Sequence, residues 1–387
     1  MKKLLLFGAM FLFIGTTSFA QENYKTVNPK HEFNNNEFHD VRYYSEKELK
    51  FKKRPKNVIL LIGDGMGVAQ VFTGITANKG DLNLINMRSI GFSRTQSADD
   101  YVTDSAAGGT ALSCGQKTYN GAIGVDVNKQ PIQSILEIAE ENEKATGLVS
   151  TSAITHATPA AFIAHQPKRS MYEEIAGDFM NTDIDVFIGG GRDFFEKRQD
   201  ERNLLEELKT KGYQVFNSVD EASKVEEGKL AILTAKGHNP GYKDRGEMLP
   251  DATEKAIEIL DGASKKGFFL MVEGSQIDWG GHQNNASFVG GEMLDFDQAI
   301  GKALEYAVNS RNTLVIVTAD HETGGMAIEG GDMRKGYVKA NFTTGHHSGL
   351  MVPVFAFGPG AEEFGGIYEN TEIFNKIYKL YRFKKTK

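Results

Sequence analysis

NVILLIGDGMG, residues 57–67, is an unbroken run of branched apolar side chains that stops at Asp64 among three glycines. A strand with one face in water alternates apolar and polar residues. This run does not, so it reads as a strand covered on both faces. Runs of the same kind recur at 147–150, 185–188, 230–233, 268–272, 313–318 and 352–357. Between most of them lie amphipathic stretches of helical period, at 132–143, 171–180, 204–212, 252–262, 292–309 and 371–381. Buried strands alternating with helices predict an α/β fold, with a mostly parallel central sheet and helices on both faces. No repeat is visible and no linker interrupts the chain after Asn57. One domain is therefore expected over 55–387, preceded by an irregular polar arm at 21–54.

The first twenty residues read as an address. Lys2 and Lys3 precede LLLFGAMFLFIG, and small residues lead to Ala20, which predicts a secretory signal peptide at 1–20. The apolar run is short for a membrane span. The expectation is an exported protein, periplasmic or secreted, with no span after cleavage. Losing both lysines would take the formal net charge from −7 to −9. An acidic chain without a basic patch has no electrostatic footing on nucleic acid, so none is expected as a partner. Cys114 is the only cysteine, which excludes an intrachain disulfide, and it reads as a small buried hydrophobe.

Ligands of open α/β sheets bind beyond the carboxyl ends of the strands. Asp64 follows the first run. Glu273, then Asp278 and His282, follow the run at 268–272, and Asp320 and His321 follow 313–318. His156 and Thr158 lie past the strand ending near Ser150, and His346 and His347 occupy a Gly-bounded loop just before 352–357. Each residue alone has an ordinary reading as turn, cap or polar loop. Their joint occurrence after successive strands supplies nitrogen and oxygen ligands suited to zinc, and a harder oxygen set suited to magnesium. In SADDYVTDSAAGGTALSCG, residues 97–115, Ser105 stands where a helix of small residues begins. Unpaired N–H groups and the positive end of the helix dipole attract phosphate there. The competing role for Ser105 is a helix N-cap.

TDSAAGGTA (103–111) resembles the nucleophile segment of alkaline phosphatases. VILLIGDGMG, STSAITHATPAAFIAHQPKR, VEGSQIDWGGH, TADHETGG and GHHSG resemble that family's other site motifs, in the family's order, from about Asn57 to the C-terminal helix. The resemblance implies hydrolysis of small phosphate monoesters through a phosphoserine at Ser105, with two zinc ions and one magnesium ion. It implies that Asp278, His282 and His347 hold the first zinc. His347 is preferred to His346 because the family's ligand directly precedes a Ser/Thr-Gly pair. Asp64, Asp320 and His321 would hold the second zinc, and Asp64 would bridge to a magnesium site completed by Thr158 and Glu273. Arg169 matches the arginine that grips phosphate, and His165 reads as structural.

Two positions depart from the best-known bacterial pattern. His156 replaces an Asp near the third metal, and Trp279 replaces a Lys beside a zinc ligand; both are expected next to the ligands rather than among them. The short segment between His321 and His347 implies a small cap. Many members of the family are dimers, so a homodimer is among the expectations. The alternative enzyme reading is a phosphodiesterase or sulfatase of the same superfamily. The alternative outside enzymes is an exported protein that captures phosphate without turnover.

Overall fold

A computed structural model describes residues 29–383, so the signal peptide expected at 1–20 lies outside the described residues. Ten strands form the main sheet: β1 (Asn57–Gly63), β2 (Ser89–Arg94), β3 (Ala145–Ala153), β4 (Val186–Gly190), β5 (Gln214–Phe216), β6 (Leu230–Leu233), β7 (Phe268–Gly274), β8 (Thr313–Thr318), β9 (Val352–Phe357) and β10 (Gly366–Glu369). Their spatial order is β10-β2-β9-β8-β1-β7-β3-β4-β6-β5. Strand β9 runs antiparallel to both of its neighbours, and the other pairs in this sheet are parallel.

The seven apolar runs are all strands of this sheet. β2, β5 and β10 were not expected. They lie toward the two sheet edges, where β2 alternates buried with more exposed positions and β5 and β10 have no buried position, so they lack a continuous apolar run.

Strand β1 sits between β7 and β8 with all seven residues buried. Its side chains divide by the period of two. Ile59 and Leu61 join a core that includes Ile257, Leu260, Phe296 and Ile300, whereas Val58, Leu60 and Ile62 join one that includes Leu112, Ile135 and Ile373. Each such side chain contributes roughly 1.5–3 kcal/mol relative to exposure. Helices that bear on the site include α1 (Val68–Ala77), α2 (Ser105–Cys114), α3 (Gln276–His282) and α4 (Ala286–Ser310), and a single turn at Ala157–Ala160 carries Thr158. Helix α4 begins six residues before the expected 292 because the Asn285 side chain caps it, accepting from the Phe288 amide.

The polar arm is not wholly irregular. Glu32–Asn34 pairs with Tyr337–Phe342, which pairs in turn with Met326–Asp332. The segment expected to be a small cap is this hairpin, extended by the arm. Burial of Phe33 and Tyr44 fastens the arm to the body.

Candidate active site

The central strands end side by side, which gathers the residues that follow them. Asp64 leaves β1, Glu273 lies near the end of β7, α3 carries Asp278 and His282, and Asp320 and His321 leave β8. His347 precedes its strand, yet it reaches the same edge because β9 starts where its neighbours finish. Two glycines show how closely these segments meet. Gly65 has φ +74°, and a Cβ there would lie 2.7 Å from the Asp278 Cα. A Cβ on Gly108 of α2 would lie 3.0 Å from the Asp320 Cβ.

Asp278, His282 and His347 form one cluster. The His347 Nε2 is 3.5 Å from the Asp278 Oδ1 and 3.2 Å from the His282 Nε2, and the latter is 3.4 Å from the Asp278 Oδ2. Both rings donate Nδ1–H to carbonyl oxygens, His282 to Gly345 at 2.8 Å and His347 to Thr103 at 2.9 Å. A carbonyl can only accept, so Nδ1 carries the proton and Nε2 is turned into the cluster, where it has a lone pair to offer once that nitrogen gives up any proton. Two lone pairs converging on one carboxylate call for a cation, and an anchored far nitrogen is the usual support of a metal-binding histidine.

Asp64, Asp278 and His321 form a second cluster. The His321 Nε2 lies 3.5 Å from the Asp64 Oδ1, 3.3 Å from the Asp320 Oδ2 and 3.3 Å from the Ser105 Oγ. Its Nδ1 is 3.2 Å from the Thr323 Oγ1, which donates to Asp278. Ser105 is the first residue of α2 and is not its cap. Asp104 caps the helix by accepting from the Ala107 amide, which leaves the serine hydroxyl on the site side.

A third cluster joins Asp64 and Glu273 to His156. His156 was expected beside the ligands, but the structure brings it within ligand distance of both acids. Thr158 follows two residues later and is fully buried. Trp279 is buried at the side, with its ring 6.5 Å from His156 and 5.1 Å from His238.

Arg169 donates from Nη1 to the Asp104 Oδ2 at 3.1 Å, and its Nη2 is 3.1 Å from the His156 Nε2. Sequence reasoning passed over Asp104 and His238. The N-cap role weighed for Ser105 falls to Asp104 one residue earlier, and its hold on the arginine needs the fold. His238 lies outside every motif, so nothing in the sequence marks it. His346 is in none of the three clusters, and His165 is occupied elsewhere by the Gly124 carbonyl and Glu137.

The electrostatics say the same. Burial, and then the charges of Asp320, Asp278 and Glu273, hold the Asp64 carboxyl well above the usual carboxylate range. Burial likewise pushes Glu273 up to about 7 and Asp320 up to about 6. Both oxygens of Asp64, the Glu273 Oε1 and the Asp320 Oδ2 are buried without a hydrogen-bond partner among the described residues. Acids this close and this dry are stable as carboxylates only around cations. The donor set of imidazole nitrogens and carboxylate oxygens fits zinc, and the second and third clusters each offer two carboxylates and one imidazole.

A mostly parallel sheet carrying such clusters beyond its strand ends is the construction of a metal-dependent α/β hydrolase. The alkaline phosphatase family model matches residues 55–341. Alkaline phosphatase 4 of Bacillus subtilis is 36% identical over 85% of this chain and 89% of its own length. The structure of alkaline phosphatase from the Antarctic bacterium TAB5 superposes with a TM-score of 0.80 at 45% identity, covering 86% of this chain and 99% of that one. A variant of the TAB5 enzyme with glutamate in place of a histidine, described as holding magnesium in its M3 site, gives a TM-score of 0.81 at 45% identity and the same coverage. The chain belongs to the alkaline phosphatase family, and it is a phosphomonoesterase.

Proposed function

We propose that this enzyme transfers the phosphoryl group of a monoester to Ser105 and then to water. The observation that carries the reading is the Ser105 Oγ, 3.3 Å from the His321 Nε2 at the start of α2, beside buried carboxylate oxygens of Asp64, Asp320 and Glu273 that lack donors. Asp278, His282 and His347 are proposed to hold one zinc ion, and Asp64, Asp320 and His321 a second. Asp64, Thr158 and Glu273, with His156 adjoining, are proposed to hold magnesium; the magnesium reported in the TAB5 variant supports a metal at such a place. Bound there, divalent cations neutralise the carboxylates, favour the ionised Ser105 hydroxyl and stabilise charge on the leaving oxygen.

The chain's own residues do the rest. The orphan amides of α2 and its dipole favour an anionic phosphate at Ser105. Arg169 offers a planar fork to two phosphate oxygens, and Asp104 holds that fork in place. Ser105 attacks phosphorus, the alcohol oxygen departs on the opposite side, and water later attacks the phosphoserine in the same line. Positioning and charge stabilisation therefore supply most of the rate. The signal peptide expected at 1–20 adds export to this reading. Among the described residues no helix is long and apolar enough to cross a membrane.

Labelled monoester, quenched within one turnover, should leave phosphate on Ser105, and Ser105→Ala should bind zinc but trap no label. Label recovered at another residue would refute the assignment. With one leaving group held constant, kcat/KM should fall from monoester to diester to sulfate ester. A diester or sulfate preference would move the enzyme to another branch of the superfamily.

A further inference from the structure

The residue sets proposed as the two zinc sites are joined by a ribbon two residues long. Glu322–Thr323 pairs antiparallel with His347–Ser348, so that Glu322 faces Ser348 and Thr323 faces His347. His321 is the residue just before this ribbon. The His321 and His347 rings, each proposed as a ligand of a different ion, stack with centroids 3.5 Å apart and planes 20° from parallel.

Glu322 is the staple of this ribbon. Its side chain is buried, with the residue 2% exposed. Oε1 accepts from the Gln70 Nε2 at 2.8 Å and the Met326 amide at 3.0 Å, while Oε2 accepts from the Gly325 amide at 3.1 Å and from the Ser348 hydroxyl. Gln70 also donates to the Thr323 carbonyl at 2.9 Å, tying the ribbon to α1. Space for the acid comes from Gly67, where a Cβ would lie 2.5 Å from the Glu322 Cγ. All four donors are neutral, and a buried carboxylate facing only neutral donors is costly to keep. A neutral side chain of this shape has one acceptor oxygen and cannot satisfy four donors arriving from both sides.

Resting on the zinc reading above, we propose that Glu322 is a positioning residue for both zinc sites. It fixes the backbone that presents His321 and, through Ser348, the strand that presents His347, so that filling one site orders the ligand of the other. Groups that orient metal ligands typically contribute 10- to 100-fold in affinity.

The test titrates zinc into the full metal-stripped chain against a chromophoric chelator. The wild type should take up two tight equivalents with positive cooperativity, and His282→Ala identifies the first site by its loss. Glu322→Gln should weaken both equivalents by about 10- to 100-fold and abolish cooperativity. Ser348→Ala, a milder change, should weaken the first site alone by about tenfold. Thermal unfolding of the metal-free variants separates positioning from folding. Variants that lose Tm but bind zinc as the wild type does would overturn the inference, as would Ser348→Ala weakening both sites equally. A wild type that takes up no zinc would overturn the zinc reading along with it, whereas wild-type-like titration of both variants would overturn this inference alone.

Discussion

At the scale of single residues, the proposed nucleophile Ser105 and the arginine proposed to grip phosphate both adjoin one carboxylate. The Asp104 Oδ1 accepts from the Ala107 and Gly121 amides while its Oδ2 holds the Arg169 Nη1. Two substitutions separate these duties. Asn is as good an N-cap as Asp, so Asp104→Asn should keep the fold within about 0.5 kcal/mol. It removes the charge that steadies Arg169, and kcat/KM for a monoester should drop by about tenfold, the loss of one charge-assisted contact. Asp104→Ala should show that loss together with about 1–2 kcal/mol in denaturant unfolding, the cost of an uncapped helix. Equal kcat/KM in the wild type and Asp104→Asn would mean that contacts other than the Asp104 carboxylate suffice to hold Arg169. The place of Ser105 at a helix start was legible in the sequence because small residues follow it. The double duty of Asp104 was not, because Arg169 stands far from it along the chain.

At the scale of elements, strands buried on both faces were the most legible features, since an unbroken apolar run has few other uses. Strand direction was not legible for β9, and direction is what delivers His347. Helix ends shifted where side chains decided them: Ser134 and Glu137 form a capping box that starts the helix at Ile135 rather than 132. This helix also carries a pH effect at its other end, beside the start of β3. Glu140 accepts from the Thr146 hydroxyl at 3.0 Å and the Asp183 amide at 3.3 Å, yet burial dominates and pushes its carboxyl up to about 7 from an ordinary 4.5. A folded-state pKa above the unfolded one means stability that is present below pH 4.5 and lost as pH rises through 7. The full shift corresponds to ~3 kcal/mol, and partial solvent contact trims this to about 2. Glu140→Gln cannot ionise. Its Tm relative to the wild type should climb between these two pH values and level off above them. A difference that stays flat with pH would show that Glu140 titrates normally.

At the scale of the molecule, strands buried over their whole length run directly into buried acids. Asp64, Glu273, Asp278 and Asp320 are all at most 3% exposed, inside a body whose two cores are otherwise apolar. The sequence announced this convergence through acids following strands. It did not show how dry the site is, because dryness depends on how tightly α2, α3 and the glycine turns close over the strand ends. Desolvated carboxylates of like charge cost several kcal/mol each unless cations sit among them. On the proposed reading, metal binding then contributes to folding as well as to catalysis. A cation at 1,000 times its Kd stabilises by about 4 kcal/mol, so two such ions supply about 8 kcal/mol, enough to raise the Tm of a chain this size by about 10 °C or more. Chelation should therefore abolish monoester hydrolysis and lower the Tm by at least that amount. Zinc should restore both, magnesium alone should restore neither in full, and magnesium added after zinc should raise activity further. If stripped protein melted at the same temperature as the loaded enzyme while losing activity, the carboxylates would be neutral in the apo fold, held by protons in place of cations.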